Sequence, residues 1–273
     1  MQALALTSEW PVDTVAAAVV APDGSVSTVG PTEHSFRLTS ISKMVVGWAM
    51  LVAAEEGTID LDQPAGQAGC TLRHLLAHTG GYAFDGDAPV AKPGQRRIYS
   101  NTGIELAAAA LADAAAMPFE EYQREAVLQP LGMGATALHG SPAHGLRSTV
   151  DDLLRFVAEL QSPTLISAES AAAFRTVQFP GLPGLVPGVG RYDDCPWGLG
   201  TEIRGNKHPH WTGALNSPAT FGHFGGAGTL LWVDEGAHVA CLALTDRPFS
   251  QWSAEALQLW PRFADAVLTE TTA

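Results

Sequence analysis

Strand-forming segments lie near both ends of the 273-residue chain, and helix-forming segments fill its middle. Residues 14 to 21 (TVAAAVVA) and 25 to 29 (SVSTV) flank a PDG turn, and residues 229 to 234 and 237 to 245 flank Glu235-Gly236. Each end therefore predicts a β-hairpin. A further strand is predicted in WGLGTEI, residues 197 to 203. These patterns predict an antiparallel sheet built from both chain ends.

Helical periodicity dominates the sequence between these strands. It predicts helices over residues 40 to 56, 71 to 78, 102 to 116, 119 to 128 and 149 to 160. The segment QWSAEALQLWPRFADAVLTE predicts a last amphipathic helix, kinked or divided near Pro261, and the Pro- and Gly-rich residues 179 to 190 predict a loop.

The order of these elements predicts an α/β (α+β) fold, in which helices flank the sheet and a mainly helical lobe is inserted between its two parts. We expect a single domain over residues 1 to 273. Its sheet lobe would comprise about 1 to 40 and 190 to 273, and its helical lobe about 41 to 189.

Charge and composition exclude several classes of function. The chain has 28 acidic and 15 basic side chains, a net charge of −13, and no basic run longer than Arg96-Arg97, so neither nucleic acid nor an anionic membrane is an expected partner. No apolar run approaches about 20 residues, so no membrane span is expected. The N-terminal segment lacks the pattern of a secretory signal, and the three cysteines (Cys70, Cys195 and Cys241) show no CxxC spacing. We therefore expect a cytoplasmic protein with free thiols.

The stretch FRLTSISKMVVGWAML, residues 36 to 51, carries one lysine in an apolar helical pattern. Lys43 follows Ser40 by three residues, a spacing that places the amine beside the hydroxyl on a helix. Burial lowers the pKa of a lysine, which makes the amine a usable base for a serine nucleophile. The dipole at the helix N-terminus would also favour an oxyanion there. In the alternative interpretation, Ser40 caps the helix and Lys43 extends into solvent.

Two more segments contain candidate site residues. Tyr99 and Asn101 lie two apart before a predicted helix and could point into one cleft, where a phenol beside a lysine could transfer protons. Alternatively, Asn101 caps the helix and Tyr99 packs over it. His223 precedes Gly225 and Gly226 at the entry to a strand, where the backbone could approach a ligand and donate to an oxyanion, or could form only a tight turn.

The histidines give little indication of a metal site. His74 and His78 have the i, i+4 spacing that can bind zinc, but the HExxH glutamate and a third ligand are missing. We therefore expect a structural helix there, no metal and no cofactor.

In this order and spacing, the three segments resemble the serine β-lactamase-like superfamily, which includes class C β-lactamases, D-Ala-D-Ala peptidases and family VIII-type esterases. The match covers nearly the whole chain. It runs from FRLTSISK and LRHLLAHTGG through PGQRRIYSNTG, LQPLGM and GLRSTVDDLLRF to GHFGG.

The resemblance implies a role for each candidate residue. Ser40 would be the nucleophile, Lys43 its base partner, and Tyr99 the proton shuttle towards the leaving group. Asn101 would bind the acyl side chain of the substrate, and His223 would replace the lysine that is usual in the third motif. The N–H groups of Ser40 and Gly226 would form the oxyanion hole, next to Gly225.

One departure from the family pattern bears on the substrate. Phe224 stands where β-lactamases commonly have a hydroxyl residue, which weakens the recognition of a β-lactam. We therefore predict a serine hydrolase that cleaves small esters, or amides, through an acyl-enzyme on Ser40. The alternatives are a β-lactamase or a D-Ala-D-Ala carboxypeptidase or D-aminopeptidase, and a non-catalytic ligand-binding protein on the same fold.

Overall fold

The structure, a computed structural model, describes residues 1 to 272. Its strands are β1 (Val15–Val20), β2 (Val26–Val29), β3 (Phe36–Arg37), β4 (Ala137–Leu138), β5 (Leu146–Ser148), β6 (Gly184–Val186), β7 (Gly190–Tyr192), β8 (Glu202–Ile203), β9 (Phe221–Gly225), β10 (Thr229–Asp234) and β11 (Val239–Thr245). Six of them form the main sheet, in the order β2-β1-β11-β10-β9-β8. A small sheet has the order β3-β5-β4, and β6 pairs with β7.

The two chain ends meet in the middle of the main sheet. β1 runs antiparallel to β11, with Val15 opposite Thr245 and Val20 opposite Ala240. This pairing joins the N-terminal hairpin β1–β2 to the C-terminal hairpin β10–β11. The predicted antiparallel sheet from both chain ends is therefore confirmed.

Both faces of this sheet are covered. Along β11, Leu242 and Leu244 belong to one core cluster, and Cys241 and Ala243 belong to a second. Side chains alternate across a strand, so a strand that is covered on both faces is apolar throughout rather than at every second residue.

The helices are α1 (Ser42–Glu55), α2 (Leu72–Leu76), α3 (Asn101–Ala115), α4 (Phe119–Gln123), α5 (Val150–Gln161), α6 (Ala168–Arg175) and α7 (Ser253–Thr271). Short 3₁₀ turns cover Ala3–Glu9, Thr39–Ile41 and Phe249–Gln251, and α4 continues as a π-helical turn over Arg124–Leu128. α5 contacts one face of the sheet, and α7 contacts the other. All predicted helices are present, and α6 is an addition to them.

Three predicted elements differ from the structure. The strand expected at 197 to 203 is reduced to β8, because the preceding residues form a loop against α1. Gly200 there has a φ of +85°, and a Cβ atom on it would lie 2.5 Å from the carbonyl oxygen of Lys43. The loop expected at 179 to 190 contains β6 and the first residue of β7.

The last helix is not divided at Pro261. α7 is continuous from Ser253 to Thr271, although a proline inside a helix removes a backbone hydrogen bond. Buried side chains precede and follow the proline, among them Trp260, Phe263 and Val267. Their packing holds both halves of the helix on the sheet.

Apolar packing is continuous across the boundary that we predict between the lobes. One core cluster contains Ala16 and Leu244 of the sheet together with Val45 of α1 and Leu111 of α3. The division into a sheet lobe and a helical lobe stays a prediction. No helix within residues 1 to 272 combines the length and the apolar character that a bilayer crossing requires.

Candidate active site

Ser40 lies in the 3₁₀ turn Thr39–Ile41, directly before α1. Its neighbour Thr39 has a φ of +49°, a left-handed conformation that is costly for a β-branched residue. The hydroxyl of Thr39 donates to the carbonyl oxygen of Leu38 at 2.7 Å and accepts the N–H of Ala227 at 3.1 Å. The turn that presents Ser40 is thereby fixed to the loop that follows β9.

Lys43 lies in the first turn of α1, and it is fully buried. Its Nζ is 3.3 Å from the Ser40 Oγ, 2.7 Å from the Asn101 Oδ1 and 2.9 Å from the carbonyl oxygen of Ala143. Amide and carbonyl oxygens can only accept hydrogen bonds. A neutral amine has two N–H groups for these acceptors, and its lone pair is then left for the Ser40 hydroxyl.

The pKa of Lys43 suits this role. Burial lowers it to about 7, against the opposing effect of the Glu105 and Asp85 carboxylates. Lys43 is therefore neutral in a large fraction of molecules near neutral pH. In that state it can accept the proton of Ser40.

Asn101 is engaged inside the protein. Its Oδ1 accepts from Lys43, and its Nδ2 donates to the Asp85 Oδ1 at 3.1 Å. It does not line the active-site cavity, which differs from the implied contact with the acyl side chain. It is also not the cap of α3, because the Ser100 hydroxyl takes that position and accepts the N–H of Gly103. The observed contacts of Asn101 orient the amine of Lys43.

Tyr99 and His223 face each other in the buried part of the site. The Tyr99 hydroxyl lies 3.4 Å from the His223 Nε2, and the His223 Nδ1 lies 2.6 Å from the carbonyl oxygen of Phe224. Since that carbonyl can only accept, Nδ1 carries the proton of the ring. Burial, with the nearby charge of Lys43, lowers the pKa of His223 to about 3, so the ring is neutral and Nε2 is an acceptor.

The ionisation of Tyr99 is shifted in the opposite direction. Burial raises the pKa of the phenol, and a hydrogen bond with Ser40 partly opposes that shift. Tyr99 is therefore a neutral phenol at neutral pH, with its hydroxyl 3.4 Å from the His223 Nε2.

His223 differs from its expected position in the strand. It lies within β9, opposite Leu231 of β10, rather than at the entry to a strand. Because the ring is neutral and hydrogen-bonded through Nδ1, it supplies no positive charge to the site. The resemblance implies that this neutral acceptor stands in the position of a lysine.

The two glycines after His223 have different surroundings. A Cβ atom on Gly225 would lie within 3.0 Å of Leu38, Thr39 and Thr229, so this glycine allows β9 to pack against the turn that contains Ser40. A Cβ atom on Gly226 would have no heavy atom within 4 Å. The carbonyl oxygen of Gly226 accepts the N–H of Phe249 at 2.9 Å, which fixes its orientation beside the cavity.

A cavity of about 390 Å³ connects these groups. Ser40, Tyr99, His223 and Gly226 line it, whereas Lys43, Asn101 and Gly225 lie behind its surface. Most of its remaining lining is apolar and includes Phe84, Val186, Trp197, Phe224 and Phe249. Such a cavity suits a small apolar ligand that is held by a few polar groups.

A buried ionic cluster next to this cavity was not predicted from the sequence. Glu202 of β8 forms an ion pair with Lys207 (3.1 Å) and accepts hydrogen bonds from His210 (3.1 Å) and Trp211 (2.7 Å). It also lines the cavity. Burial would raise the pKa of Glu202, but Lys207 and His210 together hold it far below its usual range. The polar segment NKHPHW, residues 206 to 211, is typical of a loop, and its spacing identifies no partner for a glutamate on a strand.

His78 supports Tyr99 instead of sharing a helix face with His74. α2 ends at Leu76, and His78 follows it with a φ of +58°. The His78 ring lies 4.6 Å from the Tyr99 ring, and its Nδ1 accepts the N–H of Ser100 at 3.2 Å. In the part of the chain that the structure describes, no three His, Cys, Asp or Glu side chains are grouped as metal ligands.

A two-sided antiparallel sheet with flanking helices, and a serine before a buried lysine on its central helix, define the serine β-lactamase-like fold. A family model described as Beta-lactamase matches residues 12 to 260. The chain belongs to the Beta-lactamase family, and the resemblance found in its motifs is confirmed.

Solved structures agree with this assignment. A structure described as a beta-lactamase from Mycobacterium bovis is 48% identical, with a TM-score of 0.95 over 99% of this chain and 100% of that chain. EstCE1, described as a hydrolase with promiscuous acyltransferase activity, is 19% identical, with a TM-score of 0.78 over 98% and 99%. The D-amino acid amidase of Ochrobactrum anthropi SV3 is 17% identical, with a TM-score of 0.78 over 100% and 98%. The last two likenesses show the fold.

Among curated proteins, a relative from Salmonella newport is provisionally named a D-alanyl-D-alanine carboxypeptidase. It is 25% identical over 203 residues, which are 58% of this chain and 47% of that protein. The match thus spans about half the length of the relative.

Proposed function

We propose that the chain is a serine hydrolase that cleaves small esters, and also amides, through an acyl-enzyme on Ser40. One observation carries the proposal: the Lys43 Nζ lies 3.3 Å from the Ser40 Oγ, and burial lowers the pKa of Lys43 to about 7. With Asn101 and Ala143 accepting its N–H groups, the amine directs its lone pair towards the hydroxyl.

In the proposed first step, the Ser40 oxygen attacks the ester carbonyl carbon while its proton passes to Lys43. The N–H groups of Ser40 and Gly226 donate to the oxyanion that forms. The ester C–O bond then breaks, and the leaving alkoxide takes the proton of the Tyr99 hydroxyl. The Lys43 Nζ lies 4.8 Å from the centre of the Tyr99 ring, so the charge of the ammonium stabilises the phenolate. In the proposal, a proton then passes from Lys43 to Tyr99, which restores both groups.

In the second step, water attacks the acyl-enzyme on the same carbonyl carbon. Its proton passes to the same base system, and Ser40 leaves as the protonated alcohol. The products are a carboxylic acid and free enzyme, so the two half-reactions balance without a cofactor.

The surroundings of His223 and Phe224 favour an ester whose reacting end is uncharged. A β-lactam or a D-Ala-D-Ala peptide presents a carboxylate near the reacting carbonyl. Here the neutral ring of His223 and the apolar ring of Phe224 offer it neither a positive charge nor a hydroxyl. The loss of a charge-assisted hydrogen bond lowers kcat/KM by roughly ten- to a hundredfold, whereas an uncharged ester loses nothing.

A β-lactamase is the second candidate function. It is favoured by the 48% identity with the Mycobacterium bovis protein that is described as a beta-lactamase. The only support for a D-Ala-D-Ala peptidase is the name of the Salmonella relative. The joint arrangement of Ser40, Lys43 and Tyr99 argues against a non-catalytic binding protein.

The proposed substrate is a small molecule, and the proposed location is the cytoplasm. The three cysteines, Cys70, Cys195 and Cys241, are buried and unpaired, which is compatible with a reducing compartment.

A comparison of substrate classes tests the proposal. We would measure kcat/KM for p-nitrophenyl acetate, p-nitrophenyl butyrate, nitrocefin and a D-Ala-D-Ala peptide, with Ser40→Ala as the background control. The proposal predicts that the esters exceed the two anionic substrates by about tenfold or more. If nitrocefin is the better substrate, the protein is a β-lactamase and the ester assignment is wrong.

A further inference from the structure

A second cavity, of about 310 Å³, lies next to the active site at the end of β9. Gly226 lines both cavities, and Thr39, the residue before the nucleophile, lines the second one. The two cavities thus share Gly226, at the proposed oxyanion hole, as part of their lining.

Two arginines line this second cavity and are direct neighbours across a strand pair. Arg37 of β3 is the antiparallel partner of Arg147 of β5, and the only other pair between these strands joins Phe36 to Ser148. Like charges directly opposite each other destabilise a strand pair. One of the two residue pairs between β3 and β5 therefore places like charges opposite each other.

No carboxylate of the described residues neutralises either arginine. The ion pairs within residues 1 to 272 do not include Arg37 or Arg147, although acidic side chains outnumber basic ones by 28 to 15 in the chain. Arg147 donates to the carbonyl oxygen of Ser35 at 2.9 Å and to its hydroxyl at 3.4 Å. These contacts hold the guanidinium in place without cancelling its charge.

The other polar groups of the cavity leave this charge in excess. Asp246 also lines the cavity, and its carboxylate accepts the N–H of Thr14 at 3.1 Å. His34 contributes an imidazole, packed edge-on against Phe36 at 4.6 Å. Two guanidinium groups therefore share a cavity with one carboxylate, in a protein whose net charge is −13.

We infer that this cavity is an anion subsite that binds a carboxylate or phosphate group at the far end of the substrate's acyl chain. An anion between Arg37 and Arg147 would accept charge-assisted hydrogen bonds from both and would remove their repulsion. The repulsive field of the −13 net charge is screened over about 8 Å at physiological salt, so the adjacent arginines dominate at this point.

The acyl arm, rather than the alcohol, reaches this subsite. The leaving alcohol takes its proton from Tyr99, which lines the first cavity only. The other arm of the ester then lies on the side of Gly226, the residue that lines both cavities. This inference rests on the proposed function and narrows its substrate class to esters with an uncharged reacting end and an anionic distal end.

A matched pair of esters tests the inference. p-Nitrophenyl butyrate and mono-p-nitrophenyl succinate both carry a four-carbon acyl group and differ in the terminal carboxylate. We expect the wild type to prefer the succinate, and Arg37→Gln to lose about tenfold in kcat/KM for the succinate with less than about a twofold change for the butyrate. Arg155→Gln, which removes an exposed arginine of α5 outside both cavities, should leave both values unchanged.

Thermal unfolding with inorganic phosphate provides a readout that needs no turnover. At matched ionic strength, phosphate should raise the Tm of the wild type and of Arg155→Gln relative to chloride, but not that of Arg37→Gln. In chloride, Arg37→Gln should be at least as stable as the wild type, because the substitution removes the repulsion.

The outcomes separate this inference from the proposed function. If the ratio of kcat/KM for the succinate to that for the butyrate is equal in the wild type and in Arg37→Gln, the inference is overturned and the ester hydrolase proposal stands. The same follows if phosphate raises the Tm of the wild type and of Arg37→Gln equally. If neither ester is hydrolysed but phosphate binding depends on Arg37, the ester proposal fails and the anion subsite stands.

Discussion

The Nε2 of His223 lies 3.4 Å from the hydroxyl oxygen of Tyr99, while the Nδ1 of the same ring is held 2.6 Å from the carbonyl oxygen of Phe224. The second contact fixes the tautomer, and the tautomer makes Nε2 an acceptor. His223 therefore contacts the candidate proton shuttle as a neutral base and supplies no charge to the site.

The activity of His223 variants should depend on whether the new side chain can accept a hydrogen bond, and not on its charge. His223→Gln retains an acceptor near the position of Nε2 and should keep kcat/KM for p-nitrophenyl butyrate within about threefold. His223→Leu leaves the buried Tyr99 hydroxyl without this partner and should lower the value by about tenfold. Because the pKa of His223 is about 3, the pH profile should show no ionisation step that the Gln variant removes between pH 5 and 7. Such a step would mean that the ring is charged.

The lowered pKa of Lys43 should be visible in stability as well as in activity. Between about pH 7 and 10.5, the unfolded chain binds a proton at Lys43 that the native protein does not, so wild-type stability rises with pH in this window. The unfolding free energy of Lys43→Met relative to wild type should therefore fall by up to about 1.4 kcal/mol per pH unit. Denaturant unfolding at several pH values measures this slope.

Lys92→Met is the matched control for that measurement, because it removes an exposed lysine instead of a buried one. Its free-energy difference from the wild type should be independent of pH over the same range. Parallel pH curves for Lys43→Met and the wild type would show that Lys43 has an ordinary pKa.

Lys43 and Tyr99 should act in the same proton-transfer step. Groups that work as one unit show losses that do not add. The double variant Lys43→Ala, Tyr99→Phe should therefore have a kcat only slightly below that of the more impaired single variant. The measurement is a double-mutant cycle on kcat for p-nitrophenyl butyrate. Additive losses in free energy would assign the two residues to separate steps.

Much of the fold and part of the site could be predicted from the sequence, because the relevant relationships are local. Ser40 and Lys43 are neighbours through the geometry of one helical turn, and β10 and β11 are joined by a short hairpin. The undivided α7 and the missed α6 depend instead on packing against distant elements, which overrides the local effect of Pro261 or of a weak helical pattern.

The unpredicted parts of the site join distant segments of the chain. Asn101 accepts from Lys43 across 58 positions of sequence, and Arg37 opposes Arg147 only because β3 and β5 pair. Glu202 receives its partners from a loop with no spacing pattern. The protonation state and tautomer of His223 depend on its burial and on one backbone carbonyl, and a sequence motif specifies neither.

The two adjacent glycines after Phe224 should respond differently to the same change. Gly225→Ala places a methyl group against the backbone of Leu38, and overpacking of this kind costs about 1 to 3 kcal/mol, or roughly 2 to 10 °C in Tm. Gly226→Ala meets open space and should keep a near wild-type Tm, so it is the control. Both Tm values would be measured by differential scanning calorimetry. Equal Tm losses would show that Gly225 is not required for packing against the turn that contains Ser40.

The most direct test of the account is to identify the residue that becomes acylated. The protein would be treated with a fluorophosphonate, digested and mapped by mass spectrometry, beside Ser40→Ala. We expect one adduct on Ser40, no adduct in the variant, and a labelling rate that rises with pH through a midpoint near the Lys43 pKa of about 7. Ser40→Ala should also lower ester turnover by roughly a thousandfold or more. An adduct on Ser42 or Ser100, or near wild-type turnover by Ser40→Ala, would contradict the account.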